Sequence, residues 1–289
     1  MNASAMQAQA LQGKRIAFLG CGIMGEAIIA SLLKGELLAA SQIVGAEPID
    51  WRRNELARAY GIELFDSNAP AANGADVVML TVKPQSLDSV FDDLRGLLNE
   101  SQVVVSIAAG ATLGRLSAGL QHPAIVRAMP NTPSQIGYGM TVWTATPEVN
   151  EDQGMLVAAV LSAMGKAIRV SDENEVDMAT ALSGTGPAYI FLMMEALIDA
   201  GVHMGFSRPV AEELVLQTML GSVLFAAESG KHPAELRNMV TSPGGTTASA
   251  LYHMEKGSLR TVMARAVWAA YERTVELGRG GSKPATPID

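Results

Sequence analysis

The first residues that could do chemistry are three closely spaced glycines, in the run Gly20-Cys21-Gly22-Ile23-Met24-Gly25. The run follows a β-like stretch, Lys14 to Leu19, and opens a helical one, Glu26 to Lys34. A strand, turn and helix in this order aim free backbone N–H groups and the positive end of the helix dipole at a pyrophosphate. Glycine spacing alone is a weak signal in a chain with 28 glycines. With this context it favours a dinucleotide-binding site.

The residues after the second predicted strand bear on which dinucleotide is bound. Gln42 to Ala46 reads as a strand, and Glu47 follows it, about 22 residues past Gly25. An acidic side chain at this place usually accepts hydrogen bonds from the adenosine 2′-hydroxyl and repels a 2′-phosphate, which favours NADH. Arg52 and Arg53 could bind that phosphate instead, or form a solvated helix face. The sequence therefore does not decide whether NADH or NADPH is the preferred dinucleotide.

Two later strand ends also carry candidate cofactor contacts. Val82-Lys83-Pro84-Gln85 ends a buried strand, where ligands of open α/β sheets collect, so Lys83 is placed to reach a ribose or a phosphate. The alternative is a surface lysine at the end of a strand. Small residues, Ser106 to Gly110, end the next strand and leave room for a flat nicotinamide ring. Cys21 is interpreted as a small filler of the glycine loop, because no histidine lies nearby in the sequence to activate it.

A second segment, far along the chain, is suited to binding an anion. Ser242-Pro243-Gly244-Gly245-Thr246-Thr247 precedes a helical pattern. Glycines and threonines at a helix start expose free N–H groups that can bind a carboxylate or phosphate. In isolation, a plain loop with a helix cap explains the segment equally well. Ser183 to Tyr189 is another turn of small residues that enters an apolar helix.

These segments must be positioned by two different kinds of structure. Continuous apolar strands alternate with helices up to about Val170, which predicts a parallel sheet covered on both faces. After Asp172 the pattern is entirely helical, and several helices are apolar around most of their circumference. Such helices must be buried on all sides, so we expect this half to pack against a second subunit. The expected domains are residues 14–171 and 172–278, with disordered tails at 1–13 and 279–289.

Composition and charge exclude several classes of protein. The net charge of −8 argues against nucleic acid as a partner. The single cysteine and the absence of a basic, apolar leader predict a cytoplasmic protein. Met178 to Met194 is apolar, but Gly184, Gly186 and Pro187 are expected to interrupt it, so no membrane association is expected. The four histidines are dispersed and predict no metal site.

Several of these segments resemble pyrroline-5-carboxylate reductase. The resemblance runs from about Arg15 to Leu277, and its most specific parts are Ser183 to Tyr189 and Ser242 to Thr247. It also includes Val82 to Gln85 and Met129-Pro130-Asn131-Thr132-Pro133. The resemblance implies reduction of 1-pyrroline-5-carboxylate to L-proline by NADPH or NADH. It also implies an α/β Rossmann-type N-terminal domain followed by an all-α dimerisation domain, with dimers that can assemble into a ring.

The resemblance also implies roles for individual residues. Thr247 corresponds to a threonine beside the ring nitrogen, and is the candidate catalytic residue. The substrate carboxylate would be held by Val240, Ser242, Gly244, Gly245, Thr246 and Thr247. The cofactor would be contacted by Gly20, Gly22, Ile23, Met24, Gly25, Glu47, Asn68, Val82, Lys83, Pro84, Ala108 and Ala109. Glu47 stands where NADPH-preferring members often have a small hydroxyl or basic residue.

Two other readings compete with this one. A related imine reductase or β-hydroxyacid reductase is an alternative enzyme. A β-hydroxyacid reductase is expected to have a lysine on the first long helix of the second domain. Ala188 to Met204 contains no lysine. A non-catalytic nucleotide-binding protein is expected to have lost the glycine loop or the Ser242–Thr247 segment, and both are present.

Overall fold

The computed structural model describes residues 3–279, with side chains from residue 7 onward. Eight strands lie in the first part of the chain: β1 Ile16–Leu19, β2 Ile43–Ala46, β3 Glu63–Phe65, β4 Val77–Leu80, β5 Val103–Ser106, β6 Ile125–Met129, β7 Gly139–Ala145 and β8 Gly165–Arg169. The first eight helices are α1 Ala3–Leu11, α2 Ile23–Lys34, α3 Asp50–Tyr60, α4 Asn68–Ala72, α5 Leu87–Leu94, α6 Leu113–Leu120, α7 Glu151–Ser162 and α8 Glu173–Ala179. The remaining helices are α9 Gly186–His203, α10 Arg208–Ser229, α11 Pro233–Met239, α12 Thr246–Lys256 and α13 Leu259–Gly278.

The strands form one sheet in the order β3-β2-β1-β4-β5-β6-β7-β8. Every neighbouring pair is parallel except β6 with β7, which is antiparallel. The sheet has a core on each face: Ile16 and Phe18 of β1 belong to one apolar cluster, and Ala17 and Leu19 to the other. The predicted sheet covered on both faces is confirmed. Chain order reverses between β1 and β4, and the carboxyl ends of these strands border the crevice where such folds bind ligands.

The chain divides into two compact units. One comprises the chain up to Thr185 together with the chain from Ala270 on, and it contains the whole sheet. The other, Gly186–Ala269, is helical. The boundary expected at residues 171 and 172 stays a prediction. In the helical unit large apolar side chains are exposed in the single chain, among them Phe191, Leu192, Leu216, Val223 and Phe225.

Two expectations from the sequence were wrong, and one strand was missed. Residues 3–11 were expected to be disordered, yet they form α1, which packs against α7 and buries Leu11 completely. The short strand β3 was not expected. Gly184, Gly186 and Pro187 do not interrupt the apolar stretch, because a π-helical turn, Thr180–Gly184, joins α8 to α9 and Pro187 lies in the first turn of α9. The tail expected at 279–289 lies outside the described residues apart from Arg279.

By length and apolar composition alone, the helical stretch 173–203 and α10 could each cross a membrane. Core helices of soluble proteins have the same properties, so the observation is weak evidence for a membrane span. Both helices belong to the part of the chain that exposes apolar side chains.

A buried arginine fastens α8 to the sheet. Arg127 on β6 is 3% exposed and forms ion pairs with Glu173 (2.9 Å) and Asp177, both on α8. Glu173 also accepts a hydrogen bond from the backbone N–H of Leu113, at 2.7 Å. Because α8 continues into the π-helical turn, this cluster sets where that turn begins.

Replacing Arg127 with methionine is expected to destabilise the protein by about 3–5 kcal/mol, since it leaves two largely buried carboxylates without their cation. Replacing Arg115, whose pair with Asp88 is solvent-exposed, is expected to cost about 1 kcal/mol or less. Urea unfolding midpoints of the two methionine variants measure this difference. Equal, small shifts for both variants would show that the Arg127 cluster does not fasten α8.

Candidate active site

The glycine loop follows β1 and is tied to both neighbouring strands. The N–H of Gly20 donates to the carbonyl of Ala46 (3.0 Å), and the Thr81 hydroxyl donates to the carbonyl of Gly20 (2.6 Å). Gly20 has φ +89°, and a Cβ there would lie 2.7 Å from Cγ1 of Val82. A Cβ on Gly25 would lie 2.6 Å from the Gly20 carbonyl oxygen. Only glycine therefore fits these two positions without moving the strand or the helix.

The third glycine leaves the loop open to a ligand. A Cβ on Gly22 would meet nothing within 4 Å, and Gly22 caps α2 without a side-chain hydrogen bond. The first N–H groups of a helix have no partner within the helix, which here leaves those of Ile23 and Met24 available. Gly22, which has no side chain, and Ile23 are both exposed, so the loop is reachable from solvent. The loop thus fits the pyrophosphate of a dinucleotide.

The other predicted cofactor residues lie at the same edge of the sheet, where the strands end. Glu47 follows β2 and is buried. Val82 and Pro84 are half-buried after β4, and Lys83 between them is exposed and forms no ion pair with the described residues. After β5, Ala108 is buried and Ala109 is partly exposed, so Ala109 presents more surface to a ligand.

Asn68 lies after β3, at the start of α4. Its Nδ2 donates to Oδ2 of Asp93 at 2.7 Å. A contact with a cofactor would therefore have to share or replace this hydrogen bond.

Cys21 fills space inside the loop. Its side chain is fully buried, and its thiol points to the carbonyls of Phe18 and Ala46, at 3.7 Å each. Burial, with the nearby charge of Glu47, raises the pKa of the Cys21 thiol to about 12. The thiol is therefore protonated at neutral pH and is no nucleophile.

We expect iodoacetamide at pH 8 to leave Cys21 unmodified in the folded protein. In urea at about 8 M, where the protein is unfolded, it should alkylate Cys21. Mass spectrometry of the intact chain measures the adduct. The raised pKa also means that the folded state loses stability relative to the unfolded chain as the pH rises above 9.0, because only the unfolded thiol then releases its proton. Rapid alkylation of the folded chain would contradict the buried, neutral thiol.

Sequence reasoning missed the role of Asn131, which follows β6. Its Nδ2 donates to the carbonyl of Ser183 (3.0 Å), and its Oδ1 accepts from the N–H of Met140 (2.9 Å). Asn131 therefore fixes the end of the π-helical turn at the carboxyl edge of β6. The signal in the sequence was a polar side chain at the end of a buried strand, within the Met129–Pro133 segment.

The predicted anion-binding segment lies in the helical unit, in the connection from α11 to α12. Gly245 caps α12 without any side-chain hydrogen bond, and Thr246 and Thr247 are its first two residues. Gly244 has φ +73°, and the N–H of Gly245 donates to the carbonyl of Ser242 (3.1 Å), which closes the turn. The first N–H groups of α12 are thus free for an anion.

Two side chains of this segment are accessible. Val240 is 66% exposed. Thr247 is partly exposed, and its hydroxyl makes no hydrogen bond with the described residues. A hydroxyl beside an uncapped helix start can bind a small molecule that carries both a carboxylate and a polar nitrogen.

Two of the four histidines make hydrogen bonds within the fold. His122 is buried with its Nε2 2.9 Å from the carbonyl of Gln102, and Nδ1 of His232 accepts from the N–H of Ala234, capping α11. Within residues 3–279, histidine, cysteine and acidic side chains form no group of three that could hold a metal ion.

Comparison with known proteins gives matches over both parts of the chain. A model described as pyrroline-5-carboxylate reductase dimerisation matches residues 173–277, and one described as NADP oxidoreductase coenzyme F420-dependent matches residues 15–110. Pyrroline-5-carboxylate reductase of Synechocystis sp. is 43% identical over 92% of this chain and 98% of its own. That of Pseudomonas aeruginosa is 41% identical over 91% and 96%.

A solved structure agrees in fold as well as sequence. The Plasmodium falciparum pyrroline carboxylate reductase, solved with NADP bound, superposes with a TM-score of 0.85 at 32% identity, over 92% of this chain and 99% of that one. The relatives are matched over nearly their whole length, so both the sheet-containing and the helical parts are included. The chain belongs to the pyrroline-5-carboxylate reductase family.

Proposed function

We propose that this protein reduces 1-pyrroline-5-carboxylate to L-proline with NADH or NADPH, the last step of proline synthesis. The observation that carries the proposal is that this chain, a member of the family, has both binding features. These are an open glycine loop, with Gly22 free of neighbours, and the uncapped start of α12 at Gly245.

The reaction adds a hydride to the carbon of the C=N bond and a proton to the nitrogen. When bound, the reduced nicotinamide supplies the hydride. The loop N–H groups at Ile23 and Met24 would bind the pyrophosphate, and Lys83 would reach a ribose or phosphate. Val82, Pro84, Ala108 and Ala109 would border the nicotinamide half.

The α12 start would hold the substrate. The free N–H groups of Thr246 and Thr247 would bind the carboxylate, with Val240, Ser242, Gly244 and Gly245 shaping the turn. The Thr247 hydroxyl can both donate and accept hydrogen bonds, so it can contact the ring nitrogen before and after protonation. An imine nitrogen is basic enough to take its proton from water or a hydroxyl, so the site needs no carboxylic acid with a raised pKa.

We propose that the protein is a dimer. The family model that matches residues 173–277 is described as a dimerisation domain, and the helical unit exposes apolar side chains. We further propose that dimers assemble into a ring. Light scattering after gel filtration tests both: a mass above that of two chains supports the ring, and a monomer mass would contradict the dimer.

We infer a cytoplasmic location and no membrane association. The apolar helices α9 and α10 carry acidic residues, among them Glu195, Asp199, Glu212 and Glu213, and charges are costly inside a bilayer. Cell fractionation tests this: recovery of the protein in the membrane pellet would contradict it.

The activity is tested with the purified full chain. Oxidation of NADH or NADPH is expected only after the pyrroline is added. It is followed by the loss of the reduced nicotinamide's absorbance at about 340 nm. Absence of turnover with both nucleotides would contradict the proposed function.

A further inference from the structure

Glu47 is held in one place at the adenosine end of the proposed cofactor site. It directly follows β2, and its N–H donates to the carbonyl of Phe65 on β3, at 3.0 Å. Its Oε1 accepts from the N–H of Ile49 at 3.1 Å, and the residue is only 7% exposed. The other carboxylate oxygen accepts no hydrogen bond from the described residues. That oxygen is therefore available to a ligand hydroxyl at the place where the ribose of a dinucleotide lies in this kind of fold.

The two arginines that could bind a 2′-phosphate already have other partners. Arg53 donates through Nη1 to the carbonyls of Glu47 (2.8 Å) and Pro48 (2.9 Å), and through Nη2 to Asp50 (3.0 Å). Three of the five N–H donors of this guanidinium are engaged, so a phosphate would have to share the group with Asp50 and with the backbone at Glu47 and Pro48.

Arg52 is also held by partners within the protein. It forms ion pairs with Glu26 and, at 2.6 Å, with Glu55, and its side chain is 17% exposed. Glu26 in turn accepts a hydrogen bond from the Tyr60 hydroxyl, at 2.9 Å. The guanidinium is thus fixed between two carboxylates.

The charge around this position is net negative. Two guanidinium groups, Arg52 and Arg53, face four carboxylates: Glu26, Glu47, Asp50 and Glu55. A phosphate monoester carries about 1.5 to 2 negative charges at pH 7, so placing one here adds repulsion without a free cation to offset it. A ribose 2′-hydroxyl, in contrast, can donate to Glu47.

We propose that Glu47, with Arg52 and Arg53 held by internal partners, makes this protein prefer NADH over NADPH. The preference rests on the proposed function for its role in catalysis, but it can be measured by binding alone. The Plasmodium relative was solved with NADP bound. The proposed preference rests instead on Glu47, Arg52 and Arg53 of this chain and their contacts.

The test is equilibrium binding of NADH and NADPH to the full chain without substrate, followed by nicotinamide fluorescence. NADH is expected to bind at least about tenfold more tightly, which corresponds to about 1.4 kcal/mol. Glu47→Gln keeps an acceptor for the Ile49 N–H and removes the charge, and is expected to reduce the ratio about tenfold. Glu63→Gln is the matched control: it makes the same charge change at the start of β3, where Glu63 pairs with Arg15, and should leave the ratio unchanged.

The outcomes separate cofactor preference from catalysis. Equal or tighter binding of NADPH, or the same ratio in Glu47→Gln as in the unchanged protein, would overturn the preference. So would a fall in the ratio of similar size in both variants, because it would indicate a general charge effect. Circular dichroism and unfolding midpoints show that each variant is folded. Tighter NADH binding together with no turnover on the pyrroline would support the preference and contradict the proposed function.

Discussion

Replacing Thr247 with alanine is expected to lower kcat by about 100- to 1,000-fold, the usual cost of removing one hydrogen-bonding group aimed at a reacting atom. Thr247 is the second residue of α12, and its hydroxyl makes no hydrogen bond with the described residues, so its removal breaks no hydrogen bond among them. The dissociation constant for NADH should change little, because Thr247 is not among the residues proposed to hold the dinucleotide. Steady-state kinetics and fluorescence titration measure the two quantities.

Two further variants isolate the hydroxyl. Thr247→Ser keeps it and should recover most of the turnover. Ser249→Ala removes a hydroxyl from the exposed side of the same helix and should leave kcat unchanged. Turnover by Thr247→Ala equal to that of the unchanged protein would refute the assignment of Thr247 as the catalytic residue.

Replacing Gly25 with alanine is expected to weaken dinucleotide binding about 10- to 100-fold, since overpacking costs about 1–3 kcal/mol. The new methyl group would lie 2.6 Å from the Gly20 carbonyl oxygen and 3.0 Å from the Thr81 hydroxyl. The Thr81 hydroxyl itself holds that carbonyl. Helix α2 must therefore move away from the loop, and its N–H groups move with it.

Gly114→Ala provides the matched control for Gly25→Ala. Gly114 is the second residue of α6, and a Cβ there would meet nothing within 4 Å. This variant should bind NADH and NADPH as the unchanged protein does. Titrations of both variants by nicotinamide fluorescence measure the effect. Unchanged binding in Gly25→Ala would show that the loop does not hold the pyrophosphate.

The alternating part of the fold was largely predictable because its strands are continuous apolar runs. The apolar runs from Ala75 to Val82 and from Val103 to Ile107 predict strands, and β4 and β5 lie inside them. The sequence pattern predicts helices from Arg208 to Ser229 and from Thr246 to Lys256, and α10 and α12 have these bounds, since glycine ends the pattern at Gly230 and Gly257. Short elements were missed because three to eight residues give too little periodicity; these are β3, α4, α5, α6 and α8.

Contacts between distant residues account for most of what the sequence did not predict. Arg127 pairs with carboxylates 46 and 50 residues further along the chain, and Asn131 binds a carbonyl 52 residues away. Helix α1 has no strong hydrophobic periodicity of its own. Its residue Leu11 is buried in the same apolar cluster as Ile16 and Phe18 of β1. The partners of Arg52 and Arg53 likewise became known only from the structure, because the sequence shows the charges and not what neutralises them.

The site residues divide in a similar way. The glycine loop was predictable because a strand, three spaced glycines and a helix are adjacent in sequence. The roles of Thr247 and its turn stay predictions that follow from family resemblance, and the uncapped start of α12 supports them. Neither composition nor periodicity alone would have assigned them.

The most direct test of the proposed reaction follows the hydride itself. The purified protein is incubated with 1-pyrroline-5-carboxylate and with NADH or NADPH that carries two deuterium atoms at C4 of the nicotinamide, and the product is examined by mass spectrometry and NMR. The expected result is L-proline that carries one deuterium on the ring carbon formerly doubly bonded to nitrogen. Consumption of the pyrroline without deuterated proline, or no consumption with either nucleotide, would contradict the assignment of this chain as a pyrroline-5-carboxylate reductase.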